Sequence, residues 1–383
     1  MEDINFSKRY VIPCMVQMLQ VMFLWSMLAY ITIFWIDQGF THLQVGLLVA
    51  VFPLTSLTLM IPFGIFVDRI SPRKLVIASQ LIFSVCIFGL LMTHEFWPTL
   101  LLLAIGGSGN ALFNNALPSL YLKTLGADFR GIKLGFFNAS WLFGYGLGPL
   151  ISGFIMQSWG MNAVFTFALA GQVPLMLLSM FLADVPGTAV RLADYKADLS
   201  NKSVLIFIVL VFFFSLHAGA EQTSMSLFLN KDIGLSKEEV GWMYFIHANI
   251  MALLSLASGL VGDRFNARGR GLAALFYTGI IISGLTNIML LLANSFGSFL
   301  ALRIPHAVGD SIAIVTRSLI VSNFFATTRM GGNLGAVTTT VWLGTLIGCI
   351  ISGIVPGYAM GFVIAGALAI LAIPITMIAR PRF

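Results

Sequence analysis

Gly64-Ile-Phe-Val-Asp68-Arg69-Ile-Ser-Pro-Arg73-Lys74 closes one long apolar run and opens the next. Much of this pattern returns 195 residues later, in Gly259-Leu-Val-Gly-Asp263-Arg264-Phe-Asn-Ala-Arg268. Upstream, Asp37-Gln-Gly-Phe-Thr-His-Leu-Gln-Val-Gly46 parallels Asp232-Ile-Gly-Leu-Ser-Lys-Glu-Glu-Val-Gly241 at the same offset. Downstream, Gly144, Gly148, Ser152 and Gly153 fall on Gly344, Gly348, Ser352 and Gly353 at an offset of 200. Glycine matches alone carry little weight in a chain with 37 glycines. An Asp-Arg pair with a following Arg, in register with an upstream Asp, is far more specific. The chain reads as a duplicated unit.

Composition says what that unit is. Of 383 residues, 58% are hydrophobic and only 9% charged, against about 25% charged in ordinary soluble domains. Mean hydropathy is +0.95. So few charges cannot clothe a water-soluble globule, which excludes a soluble enzyme or a nucleic-acid binder. Unbroken apolar runs of ~20 residues or more match helices crossing a ~30 Å hydrocarbon core, not the short alternating strands of a membrane barrel. Twelve spans are expected, near 10–36, 44–66, 74–93, 98–122, 134–157, 162–183, 203–229, 240–262, 271–293, 298–322, 333–354 and 359–379. The longest polar stretch divides the chain into a first six-helix bundle (1–183), a linker (184–202) and a second six-helix bundle (203–383). The fold class is thus an all-α polytopic membrane protein.

The basic residues set the orientation. Eighteen of the 21 Lys and Arg, among them Arg69, Arg130, Arg317 and Arg329, are assigned to one face; Lys231 and Lys237 lie on the other, and Arg303 lies within a span. By the positive-inside rule both termini and the linker are expected in the cytoplasm, and the net charge of +6 reflects basic loops. No cleavable signal peptide is expected, because the first apolar run is too long for an h-region. Cys14, Cys86 and Cys349 sit far apart inside apolar runs and suggest neither disulfides nor a metal site.

Six plus six spans, a polar central linker and the Gly64–Lys74 loop resemble the major facilitator superfamily over nearly the whole chain. The loop departs from the family pattern in having Ser71-Pro72 in place of a single glycine. Gly144-Tyr-Gly-Leu-Gly148-Pro149-Leu-Ile-Ser-Gly153 is similar to the motif associated with the family's exporters. Where the family carries an Arg in span 4 this chain has Ile105, whereas span 10 keeps Arg303-Ile-Pro-His306-Ala-Val-Gly309. The resemblance implies two bundles around a central pathway lined by spans 1, 4, 7 and 10. It also implies a cytoplasmic gate formed by Gly64, Asp68, Arg69 and Arg73 with their counterparts Asp263, Arg264 and Arg268.

Elementary physics adds roles. A carboxylate at Asp68 can cap a neighbouring helix N-terminus, with Arg69, Arg73 and Lys74 pairing with it or with lipid phosphates. The Gly144/Gly148/Gly153 stripe allows close helix approach, and Pro149 is expected to kink span 5.

Intramembrane charge is confined to the second bundle. Span 7 holds His217 and Glu221, span 8 His247, and span 10 Arg303, His306 and Asp310. Such groups are costly in hydrocarbon and mark functional sites by default. His217 and Glu221 share a helix face, and Arg303, His306 and Asp310 form a narrow stripe. Glu221 is expected to meet Arg303 across the pathway. Glu221 and Asp310 are the candidate carriers of a coupling proton. Arg303 competes for the carboxylates, and His217, His306 and more weakly His247 relay or share the proton. The first bundle offers an uncharged wall of Gln17, Gln20, Asn110, Asn114, Asn115, Asn138, Trp141 and Tyr145, suited to a small amphipathic or polar solute.

The expected function is secondary active transport of a small organic solute across a bacterial cytoplasmic membrane, proton-coupled, by a monomer without cofactor, export being favoured over uptake. Alternatives are proton-linked uptake of an anionic solute bound by Arg303, divalent metal export by the His/acid cluster, and lipid flipping. No nucleophile–base motif or phosphate loop suggests an enzyme.

Overall fold

In hydrocarbon every backbone amide must be satisfied within its own segment, so long apolar runs become helices. A computed structural model describes residues 8–93, 95–126, 129–188, 191–267 and 271–378. Arg268 lies outside them. The first crossing consists of α1 (Lys8–Leu28) and its short continuation α2 (Ile31–Asp37). It is followed by α3 (His42–Arg69), α4 (Pro72–Met92), α5 (Phe96–Thr124) and α6 (Arg130–Ser179). After the linker helix α7 (Leu192–Leu199) come α8 (Lys202–Leu227), α9 (Lys237–Ala267), α10 (Ala273–Met289), α11 (Phe296–Phe324), α12 (Met330–Ile354) and α13 (Met360–Ile378).

Eleven helices among the described residues are long and apolar enough to cross a bilayer. One of them, α6, has 50 residues, about 75 Å of helix, twice the length one crossing needs. Gly160 breaks it with φ 77° and ψ −179°, a conformation open to glycine. Twelve crossings result, with the break in the Ser158-Trp159-Gly160 cluster. Pro149 lies inside α6, where the dihedrals stay in the helical region, and Gly160 alone departs from it.

The repeated residues make repeated structure. Thr41 and Gln44 form a reciprocal capping box at the start of α3, with Gln44 Oε1 accepting from Thr41 N at 2.9 Å. Ser236 and Glu239 do the same at the start of α9, with Glu239 Oε2 accepting from Ser236 N at 2.8 Å. Between the first and last six crossings the main packing pairs are α6 with α9 and α3 with α12. The stretch 184–202 is more than a tether, since α7 packs against α12.

An even number of crossings puts residues 8 and 378 at one end, here called the basic end. The joints there are hydrogen-bonded through two carboxylates, one buried and one half-buried. Asp68, fully buried, accepts from Gly331 N at 2.9 Å and Gly332 N at 2.8 Å at the start of α12. Lys123 Nζ lies 2.8 Å from Asp68, and Tyr195 of α7 donates to it at 2.9 Å. Asp263 accepts from Gly131 N at 2.7 Å and Ile132 N at 3.0 Å at the start of α6. Arg73 pairs with Asp184 of the linker at 2.8 Å rather than with Asp68. Arg69 and Arg264 have no ion pair among the described residues. At the opposite end, the buried Tyr30 hydroxyl lies 3.1 Å from the Pro149 carbonyl and 3.0 Å from the Lys237 carbonyl, bridging α6 and α9.

Candidate functional site

The charged residues of α8, α9 and α11 converge. Arg303 Nη2 donates to Glu221 Oε1 at 2.6 Å and lies 2.9 Å from His247 Nε2. His306 Nε2 is 3.3 Å from the same Glu221 oxygen and 3.2 Å from Asp310 Oδ2. His217 Nε2 completes the chain, 3.3 Å from Asp310 Oδ2. One continuous network therefore links Arg303, Glu221, His306, Asp310 and His217, with His247 as a branch. All are buried except Glu221, whose side chain is 16% exposed.

Helix geometry explains the convergence. Arg303, His306 and Asp310 lie along one stripe of α11, as their spacing of three and seven requires. His217 and Glu221 lie one turn apart on α8. Each imidazole is oriented from behind: His217 Nδ1 contacts the Phe214 carbonyl, and His306 Nδ1 lies 3.3 Å from the Ser283 carbonyl and 3.3 Å from Thr286 Oγ1. Both Nε2 atoms are thereby turned towards the carboxylates. The pairing is incomplete: Asp310 Oδ1, Arg303 Nε and Nη1 and His306 Nε2 are buried without a hydrogen-bond partner among the described residues, the last meeting both carboxylates at ion-pair distance only. One donor atom each from His217, His306 and Asp310 lie within 4.8 Å of one another, close enough for a cation or a shared proton.

This network borders a cavity of ≈ 360 Å³ between the first and last six crossings. Gln17, Gln20, Asn110, Asn114, Asn138, Trp141 and Tyr145 line it from one side, and His217, Glu221, His247 and Asp310 from the other. Arg303 and His306 are not among the lining residues and stand behind Glu221 and Asp310. Trp141 and Tyr145 stack at 5.3 Å with planes 9° apart, and Trp25 meets Tyr145 edge-on at 4.5 Å. Gln17 Nε2 donates to the Phe137 carbonyl at 3.2 Å, and Asn114 Nδ2 to Asn110 Oδ1 at 2.7 Å. Asn115 is turned away, its amide bonded to the Met60 carbonyl at 3.0 Å. The Gly144 and Gly148 faces accept the α1 backbone at Met18 and Met22, so that part of the stripe is a helix-packing surface.

Sequence reasoning missed several residues here. Arg317, assigned to the basic loops, lies within α11 and lines the cavity. Its signal was available, since it is seven residues, two helical turns, from Asp310. Lys123, Tyr195 and Tyr30 are joint residues whose partners come from more than 50 positions away, beyond any local pattern.

Twelve apolar crossings enclosing a chamber of solute size, with walls from both parts of the chain, define a multi-pass membrane transporter. The chain belongs to the Major Facilitator Superfamily, which it matches over residues 14–220 and again over 207–382. It is 24% identical over 333 residues to an uncharacterised MFS-type transporter of Methanocaldococcus jannaschii, covering 82% of each chain. It is 23% identical over 350 residues to the quinolone resistance protein NorA of Staphylococcus aureus, covering 88% of each. In fold it is similar to the crystal structure of the human organic anion transporter MFSD10, with a TM-score of 0.77 and 14% identity over 96% of this chain and 98% of that one. The protein is a transporter, not an enzyme.

Proposed function

We propose that this protein is a proton-coupled exporter of small amphipathic organic solutes, working by alternating access in a bacterial cytoplasmic membrane with both termini inside. Residues 1–183 and 203–383 are two bundles that rock about the central cavity, while 184–202 joins them on the cytoplasmic face. The observation that carries the coupling is the position of Glu221, which borders the cavity and shares one oxygen between Arg303 at 2.6 Å and His306 at 3.3 Å.

A proton reaching Glu221 removes the charge that holds Arg303. The guanidinium then needs another acceptor, and Asp310 lies further along the same helix stripe. His306, between the two carboxylates, and His217 beside Asp310 offer a relay of donors and acceptors for that exchange. Each protonation state favours a different set of partners, and a change of partners shifts α8 relative to α11. Re-pairing of this kind can bias a two-state bundle. Apolar walls with a few amides and a Trp–Tyr shelf suit an amphipathic solute, and the similarity to a quinolone resistance protein supports the outward direction.

The test uses purified protein in proteoliposomes with an imposed pH gradient and a panel of fluorescent amphipathic solutes that includes a quinolone. Wild type accumulates a solute against its gradient. Glu221→Gln and Asp310→Asn lose accumulation but keep gradient-free solute exchange. Full proton-driven accumulation in both variants would end the proposal.

A further inference from the structure

Arg317 lines the cavity without an ion-pair partner among the described residues. It lies about 10 Å along α11 from Asp310, lines the chamber, and has no carboxylate oxygen within 4.0 Å among the described residues. The carboxylates that border the same chamber have nearer partners: Glu221 has Arg303 and His306, and Asp310 has His217 and His306 at Oδ2, its Oδ1 staying without a hydrogen bond among the described residues. Arg303, the residue the sequence suggested for an anion, is consumed by Glu221 and His247 and sits behind the wall. A guanidinium facing an apolar chamber has a large unmet demand for a planar anionic acceptor.

The surroundings extend the site. Asn138 of α6 donates to Ser318 Oγ at 3.5 Å, so α6 and α11 lie at the same depth beside Arg317. From Asn138, Trp141 and Tyr145 stand about 5 and 10 Å further along α6. An anionic head and an aromatic platform are thus separated by roughly the length of a two-ring organic molecule. We infer that the cavity takes organic anions, a carboxylate or sulfonate pairing with the Arg317 guanidinium while an aromatic body rests on the Trp141–Tyr145 shelf. The inference names the substrate class of the transporter proposed above and rests on that cavity being the solute site, but not on proton coupling.

The experiment measures equilibrium binding to the full chain in lipid nanodiscs at neutral pH without a gradient. The probes are matched acid–amide pairs, 1-naphthoate with 1-naphthamide and indole-3-acetate with indole-3-acetamide, together with 1-naphthalenesulfonate. In wild type each acid binds at least about tenfold more tightly than its amide, and the sulfonate behaves like the acids. Arg317→Gln removes the difference and leaves the amides unchanged, whereas Arg317→Lys keeps part of it. The inference is overturned if no acid binds, if wild type binds acids and amides equally, or if Arg317→Gln still discriminates. Should Arg317→Gln fail to fold, the wild-type pairs and Arg317→Lys still decide. Whether proton-driven accumulation fails in proteoliposomes is a separate readout and does not enter this binding comparison of wild type with the Arg317 variants.

Discussion

Asp68 and Asp263, 195 residues apart, perform the same act at two different helix starts. Each gives both carboxylate oxygens to two successive backbone N–H groups of a helix from the other part of the chain. The positive end of a helix dipole is held by a negative charge, and the two joints α3–α12 and α6–α9 close the basic end together. They differ in their surroundings: Asp68 is fully buried, accepts from Tyr195 and is paired with Lys123, whereas Asp263 is half-buried with no ion pair among the described residues.

That difference predicts unequal mutants. Asp68→Ala leaves Lys123 uncompensated and is expected to destabilise the closed joint by about 3–5 kcal/mol. Asp263→Ala forfeits a cap alone, worth about 1–2 kcal/mol. Thermal melting of the purified variants, with single-cysteine accessibility at the basic end, measures both. Equal effects would refute the distinction.

The Glu221–Arg303 pair predicts a charge-balance rescue. Arg303→Gln strands a carboxylate and is expected to cost about 3–5 kcal/mol. Combining it with Glu221→Gln removes the stranded charge and should restore most of the melting temperature while leaving proton-driven accumulation absent. A double variant no more stable than Arg303→Gln alone contradicts the pairing.

The linker predicts a pH signature. Asp198 of α7 accepts from Arg329 at 2.8 and 2.9 Å and from Asn333 at 2.7 Å. Burial opposes its charge, but the guanidinium and the amide outweigh it and hold the carboxyl below its ordinary range. A carboxyl so depressed adds stability that is complete above its unfolded value near about 4 and is lost as pH falls through the lower folded value. Asp198→Asn should therefore melt below wild type at pH 7, with the gap shrinking as the pH is lowered under about 4. A gap constant across that range tells against the pairing of Asp198 with Arg329 and Asn333.

Two glycines of similar appearance should behave oppositely. A Cβ at Gly64 would stand 2.6 Å from the Gly331 carbonyl oxygen, whereas one at Gly353 meets nothing within 4 Å. Gly64→Ala is expected to force α3 from α12 at about 1–3 kcal/mol and to impair transport. Gly353→Ala should be neutral or slightly stabilising. Transport rates in proteoliposomes and melting curves separate the two.

The legibility of this molecule is uneven. The spans, the Gly160 break and the capping-box repeat at Thr41 and Ser236 follow from local rules and could be read directly. The stripe Arg303–His306–Asp310 was legible for the same reason, because spacing fixes which side chains share a helix face. Arg317 misled, since counting it as a loop charge concealed a cavity residue.

Hydrophobic length and charge bias operate within one segment, so the amino-acid order alone specified twelve crossings, the duplicated plan and the clustering of mid-span charge in the later part of the chain. Which charges are satisfied is a property of distances between segments. That Glu221 holds Arg303, that Tyr195 reaches Asp68 from the linker, and that Arg317 faces the chamber with no carboxylate of the described residues within 4.0 Å all depend on how helices distant in the chain lie against one another. A hydrogen-bonded ion pair needs donor and acceptor within about 3 Å, and only the assembled bundle sets separations that fine.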